Sequence, residues 1–230
     1  MIAQSFDLSE KEFKIFQEII YRETGIHMSE KKKKLIVARL SRRLRALDLG
    51  SFSQYYEYLN DSLDADNEIV NLINRVTTNK TNFFREQHHF DFLVRELFPK
   101  LIARSEVSGS RRLRIWSAGC SSGEEPYTLA MVTDGAFKSQ RGWDIKILAT
   151  DLDTEILGKA IEGVYPTQAL SPVPKEYIHR YFTRSSKGYT ANDTLKSMVS
   201  FRKLNLMDST FPMKRPFDVI FCRNVIIYFD

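Results

Sequence analysis

The run Leu113–Ala130, LRIWSAGCSSGEEPYTLA, constrains this chain more than any other stretch. An apolar strand, Leu113–Ala118, enters a turn bracketed by Gly119 and Gly123, and a helix follows from about Glu125 to Phe137. Glycines in such a turn let the backbone approach a ligand that a Cβ would exclude. After a turn at Gly142, a second apolar strand, Asp144–Thr150, ends at Asp151. A short helix over Thr154–Glu162, closed by Gly163, follows it, and Phe217–Cys222, FDVIFC, reads as another buried strand. Strands alternating with helices predict a parallel α/β sheet.

The turn itself fits two templates. As G-x-S-x-G it is a nucleophile elbow, with Ser121 attacking. That reading needs a histidine and a carboxylate in the order Ser, Asp, His, and the one histidine downstream is His179, in the helix-like segment PKEYIHRYF. As a cofactor loop, the turn has better support. Asp151 ends the next strand, where nucleotide-binding α/β folds place a carboxylate on ribose hydroxyls. Glu124-Glu125, directly after the loop, would repel a pyrophosphate. The favoured ligand therefore lacks phosphates or carries positive charge, and S-adenosylmethionine, with its sulfonium, meets that demand. The residues leave a second reading open, in which Glu124 and Glu125 only cap the helix.

Upstream, residues 1–75 read as helices. Phe13, Phe16, Ile19 and Ile20 recur at helical spacing, Ser9 with Glu12 forms a capping box, and Gly25 ends the helix. Ser29 is placed to cap the next helix, with an apolar stripe of Val37, Leu40, Leu44 and Leu47. SQYYEYLNDS and ADNEIVNLINRVT predict two more. Beyond a polar stretch from Thr77, Phe90, Leu93, Val94, Leu97 and Leu101 share one helical face. Residues 164–203 read as a helix, a hairpin turning at Lys187-Gly188 and a strand over Met198–Lys203, together a small insertion in the α/β unit.

Composition narrows the function classes. Two cysteines, Cys120 and Cys222, make no disulfide framework and suit a reduced compartment. No His/Cys cluster suggests a metal. The N-terminus lacks a signal-peptide pattern, and the longest apolar runs are too short to span a bilayer, so the expectation is a cytoplasmic protein without membrane insertion. The net charge of +5 hides an asymmetry: residues 31–45 carry eight basic residues and no acidic one. Such a helix is a solvated face, a nucleic-acid surface or a docking face for an acidic partner. With no aromatic-interleaved basic patch, nucleic acid is disfavoured.

Five segments, TTNKTNFFRE (77–86), IWSAGCSSGEEPYTLA (115–130), ATDLDTEILGKA (149–160), KLNL (203–206) and FDVIFCRNVIIYFD (217–230), together resemble the CheR family in the right order and over nearly the whole chain. These are S-adenosylmethionine-dependent methyltransferases that esterify glutamate side chains of bacterial chemoreceptors, releasing S-adenosylhomocysteine. The resemblance implies a Rossmann-like class I methyltransferase sheet with a small antiparallel β insertion, preceded by an all-α domain. The expected division is 1–75 for receptor docking and 76–230 for the methyltransferase, with the β-subdomain at about 177–200.

The resemblance also implies site residues. Asn79, Thr81 and Arg85 match positions lining the cofactor and substrate site. Ala118 and Glu124 match the glycine loop, with Glu124 near the methionine amino group. Asp151 matches the acid at the adenosine end, Asn205 and Leu206 the pair beside the adenine, and Arg223, Asn224 and Tyr228 the CRN motif and its tyrosine. Arg85, orienting the substrate carboxylate, and Tyr228, shaping the methyl channel, are the catalytic candidates. The basic helix implies docking on the cytoplasmic helices of chemoreceptors through Arg39, Arg42 and Arg43, by a monomeric enzyme. Some family members capture a receptor tail peptide by strand addition at the β-subdomain. Here the hairpin is short, which favours a protein that does not need the peptide. The rival class is a non-catalytic methyltransferase-like module that binds the cofactor or its demethylated product. Family members continue past IYFD with a helix and further strands, so a sheet without its last strands is expected.

Overall fold

The computed structural model describes residues 6–229. Four helices come first: α1 (Glu10–Thr24), α2 (Lys33–Ala46), α3 (Phe52–Asp61) and α4 (Ala65–Val76). α1 starts and stops where its caps dictate. Ser9 accepts from the Glu12 amide, and the Glu12 carboxylate accepts from the Ser9 amide, while Gly25 takes the left-handed conformation (φ 69°) that ends the helix. Phe13, Phe16, Ile20, Leu40, Leu44, Phe52, Tyr55 and Leu72 are buried together between these helices. Burying one such side chain stabilises by roughly 1.5–3 kcal/mol.

Two details depart from the sequence reading. Ser29 makes no side-chain cap; it precedes a 3₁₀ turn, Glu30–Lys32, and α2 begins only at Lys33. The buried stripe of α2 is Ile36, Leu40 and Leu44, while Val37 and Leu47 are half-buried at its margins.

A polar linker leads to α5 (His88–Phe92), a π turn over Leu93–Leu97 and α6 (Phe98–Ser108). The wide turn shifts the phase of the apolar face. Phe90 and Leu93 stay buried, but Val94 turns outward and is exposed.

The strands β1 (Arg112–Ala118) and β2 (Asp144–Asp151) flank α7 (Glu124–Phe137), and α8 (Thr154–Glu162) follows β2. Next come β3 (Val164–Tyr165), α9 (Lys175–Tyr181), β4 (Phe182–Ser185), β5 (Gly188–Ala191), α10 (Asp193–Met198), β6 (Val199–Lys203) and β7 (Val219–Phe221). The main sheet has the order β6-β2-β1-β7, all parallel. Strand order runs outward from β1 through β2 to β6 and then returns to the far side of β1. That reversal opens a crevice beyond the carboxyl ends of the strands, where open α/β sheets bind ligands. The buried face of α7 packs on this sheet, with Tyr127, Leu129, Ala130 and Met131 inaccessible.

The insertion is a three-stranded antiparallel sheet of order β3-β5-β4. Its third strand, β3, comes from before the expected range, and α9 and α10 flank the hairpin. Ser185 pairs with Gly188, so the two-residue turn is Ser186-Lys187 rather than Lys187-Gly188. Gly188 sits at φ 123°, and a Cβ there would lie 2.2 Å from the Tyr165 carbonyl. Only glycine lets β3 and β5 approach so closely. No helix among the described residues is long and apolar enough to cross a membrane.

Candidate functional site

The loops after all four parallel strands converge on one cavity, and the helical N-terminal segment roofs it. Gly119 and Ser121 after β1, Asp151 at the end of β2, Leu204–Leu206 after β6 and Arg223–Val225 after β7 all line it. So do the linker residues Val76–Thr81 and Arg85, and Thr24, Ile26, Met28, Lys32 and Leu35 from the roof.

The glycine loop is wound tightly. Gly119, Ser121 and Gly123 have φ of 77°, 50° and 94°. The amides of Gly119 and Cys120 donate to the Thr150 carbonyl at 2.8 and 2.9 Å, tying the loop to the end of β2. The Ser121 amide donates to Asp151 Oδ2 at 2.7 Å, and the Asp153 amide to Oδ1 at 3.0 Å. Burial pushes the Asp151 carboxyl up, against the pull of these amides. Each oxygen keeps a further lone pair for a ligand hydroxyl. The Ser121 hydroxyl donates to the Asn79 carbonyl at 3.1 Å, and His179 is exposed on α9. Ser121 is thus a turn residue joining loop to linker, and the nucleophile reading has no base to support it.

The two glutamates part ways. Glu124 accepts from the Ser122 hydroxyl at 2.6 Å, is 8% exposed and does not line the cavity; burial pushes its carboxyl up. Glu125, which the resemblance did not place among the site residues, does line it. One Glu125 oxygen accepts from Ser117 Oγ at 2.7 Å and the other from Arg223 Nε at 2.8 Å. Burial pushes the Glu125 carboxyl up, and the Ser117 and Arg223 contacts pull it back. Ala118 is buried behind the loop, likewise off the cavity wall. Of this acidic pair, it is the second residue, not the Glu124 of the resemblance, that lines the cavity.

Arg223 is held from several sides. Its Nη1 donates to the Arg85 carbonyl at 2.7 Å and lies 2.8 Å from His89 Nδ1, and its guanidinium stacks on Phe90 and Phe221. Burial, with the nearby His88 and Arg223, pushes the His89 imidazole down, as suits a neutral ring accepting from Arg223. Arg85 lines the cavity and donates through Nη1 to the Lys80 carbonyl at 2.9 Å. Phe84, Glu86 and Asn224, all non-glycine, sit at φ 54–56°, and Asn224 reaches Glu86 at 3.4 Å. Strained backbone of this kind persists only where surrounding contacts over-determine it, commonly at functional sites.

Asn79 lines the cavity while its Nδ2 donates to Asp153 Oδ2 at 2.6 Å; Thr81 and Leu206 also line it. The Asn205 side chain is committed to the seam with the roof: Nδ2 donates to the Glu23 carbonyl at 2.9 Å, and Oδ1 accepts from the Met207 amide. Tyr228 falls in a 3₁₀ turn, Ile226–Tyr228, and its side chain lies outside the described residues.

The three docking arginines also separate. Arg43 is bound to Glu68, and Arg39 to the linker carbonyls, so both are used within the molecule; Arg42 is exposed. A fork of guanidinium donors satisfied internally is unavailable to a partner.

The model of the "CheR methyltransferase, SAM binding domain" matches residues 79–230, and that of the "CheR methyltransferase, all-alpha domain" matches residues 11–77. The chain is 42% identical over 228 residues to the chemotaxis protein methyltransferase of Borreliella burgdorferi, which covers 98% of this chain and 80% of the relative. It is 40% identical to chemotaxis protein methyltransferase 2 of Pseudomonas aeruginosa, covering 99% and 79%. It is 38% identical to the chemotaxis protein methyltransferase of Escherichia coli, covering 100% and 78%.

Proposed function

The chain belongs to the CheR methyltransferase family, and from that premise we propose that it methylates glutamate side chains of bacterial chemoreceptors as methyl esters in chemotaxis adaptation, using S-adenosylmethionine. The observation that carries the reading is the convergence of the four strand-end loops on a cavity lined by the buried Glu125, the half-buried Asp151 and Arg85.

The donor set fits the cofactor. Asp151 offers lone pairs to ribose hydroxyls, and Leu206 an apolar wall. Glu125, held by Ser117 and Arg223, sets a carboxylate in the wall, and the positive-φ loop brings backbone close. The bound cofactor supplies an activated methyl on a sulfonium. A glutamate side chain is already ionised near neutral pH, so no residue has to remove a proton. What the chain supplies is alignment, which in ideal cases contributes about 7–11 kcal/mol. Arg85 suits the substrate carboxylate, since a guanidinium can hold it in a bidentate fork. Too tight a grip would lower the nucleophilicity of the oxygen, so the fork orients it without burying it. The helical segment 1–75 presents the basic α2 to acidic receptor helices, the enzyme working as a monomer in the cytoplasm.

Calorimetry with S-adenosylmethionine and S-adenosylhomocysteine, followed by labelled-methyl transfer to receptor-containing membranes, tests the proposal. Binding and base-labile methyl incorporation are expected. Absence of cofactor binding overturns the proposal. Binding without transfer makes the chain a cofactor-sensing module instead. Arg85→Ala should cut transfer sharply, and unchanged kinetics would remove Arg85 from the mechanism.

A further inference from the structure

We propose that Arg39 is a positioning residue for the cofactor site, acting from α2 as the cap of α4 that fixes the linker walling the cavity. The inference rests on the cavity being the cofactor site. α4 ends at Val76, and a helix end leaves its last carbonyls without intrahelical partners and slightly negative. Arg39 answers that need from another helix. Its Nη1 donates to the Val76 carbonyl at 2.6 Å and the Thr77 carbonyl at 2.9 Å, and Nη2 reaches Thr78 Oγ1 at 3.3 Å. A planar guanidinium serves these acceptors from two nitrogens in a fixed fork, Nη1 on both carbonyls and Nη2 on Thr78, a geometry the single flexible ammonium of a lysine does not preset.

From the capped linker the hydrogen bonds continue to the loop. Thr77 Oγ1 and Asn79 Nδ2 both donate to Asp153 Oδ2, at 2.9 and 2.6 Å. Asp153 is 2% exposed and caps α8 by accepting from the Ile156 amide at 3.0 Å. Its own amide donates to Asp151 Oδ1 at 3.0 Å, and Asp151 Oδ2 accepts from the Ser121 amide at 2.7 Å. The Ser121 hydroxyl then returns to the Asn79 carbonyl at 3.1 Å, closing a ring. Val76, Thr77, Thr78, Asn79, Ser121 and Asp151 all line the cavity. Arg39 therefore holds, through the linker, the same carboxylate and loop that shape the cofactor's seat.

This assignment separates from a docking role because the two need different things of the side chain. Attraction to an acidic receptor needs only charge, and it acts when receptor is present. The cap needs the fork, and it acts on the isolated protein. The test measures S-adenosylhomocysteine affinity of the whole chain by calorimetry, without receptor, for wild type, Arg39→Lys and Arg39→Ala. Both variants should raise Kd about tenfold, the scale of one hydrogen bond to a charged donor. In transfer assays the KM for S-adenosylmethionine should rise with the receptor KM unchanged. Loss of general fold integrity would not produce that split. Thr77→Val, which leaves α2 untouched, should raise Kd by itself and add less than its full effect on top of Arg39→Lys, since both act on one linker. This second variant keeps the test open if Arg39→Lys fails to fold. Wild-type affinity in Arg39→Lys, or in Thr77→Val, overturns the inference while leaving the cofactor reading intact. Failure of wild type to bind overturns the cofactor reading itself.

Discussion

Arg43→Ala should unfold the helical segment at markedly lower denaturant, because it strands a buried charge. Glu68 is fully inaccessible. Its carboxylate accepts from Arg43 Nε at 2.8 and 3.0 Å, Arg43 Nη2 at 2.5 Å, the Tyr55 hydroxyl at 2.7 Å and Asn71 Nδ2 at 3.1 Å. Burial, and then the hydrogen bond to Glu68, push the Tyr55 phenol well up, so it remains a donor at any working pH. Removing one partner of a buried ion pair costs about 3–5 kcal/mol. The Tyr55 and Asn71 donors stay, each worth about 1 kcal/mol, which places the expected loss near the lower end, about 3 kcal/mol. With a urea m-value of about 1–3 kcal/mol/M, the far-UV circular dichroism midpoint should fall by roughly 1–3 M. Pairing Arg43→Met with Glu68→Gln removes both charges while keeping an acceptor for Tyr55, and should recover most of the loss. A shift under about 0.5 kcal/mol for Arg43→Ala, the range of ordinary surface changes, would refute the reasoning and return Arg43 to the outer face.

Glu124→Gln should stabilise the protein increasingly as pH rises. Burial pushes the folded carboxyl up, so its stabilising protonated form is present below the ordinary carboxylate range, about pH 4, and is lost on the way to neutrality. Melting temperatures of wild type and variant across that range check this, and a pH-independent difference would contradict it. Gly123→Ala should destabilise by roughly 1–3 kcal/mol and weaken cofactor binding: φ is 94°, and a Cβ would sit 2.9 Å from the Tyr165 hydroxyl and 3.2 Å from Ala160 Cα. Arg42→Glu, on the exposed face of α2, should weaken receptor methylation with steeper loss at low salt and leave S-adenosylhomocysteine affinity in place. Equal methylation at all salt concentrations would remove Arg42 from docking.

The parts of the fold that read most clearly from sequence are those set by local chemistry. Ser9, Glu12 and Gly25 bound α1 because caps act within one turn. The β1–loop–α7 unit follows from an apolar run meeting two glycines. What stayed hidden depends on distant partners. β3 is two residues long and exists only because Gly188 admits it beside β5. Thr24, Met28 and Lys32 reach the cavity wall because Asn205 and Met207 latch onto the end of α1, across some 180 residues of chain. Val94 looked apolar and in phase, yet the π turn rotates it outward, and no residue type announces a π turn.

Within the site, residue type was legible and direction was not. Glu124 and Glu125 are chemically alike, and neighbours on a helix point about 100° apart, so one faces the Ser122 turn and the other the cavity. The same geometry sorts the arginines of α2, and here the signal was present. Taking Ile36, Leu40 and Leu44 as the buried stripe, residue 43 lies about 60° from its centre, residue 39 about 100° and residue 42 about 160°. A long basic side chain at the margin of a buried stripe can turn inward whenever an acceptor waits there. Glu68 and the carbonyl end of α4 are such acceptors, and α4 packs on α2 on that side. A charge run on a helix thus divides by phase into residues that hold the molecule together and residues that face a partner. For this helix the division assigns Arg43 to the core of the helical segment and Arg39 to the end of α4, and it leaves Arg42 on the exposed face.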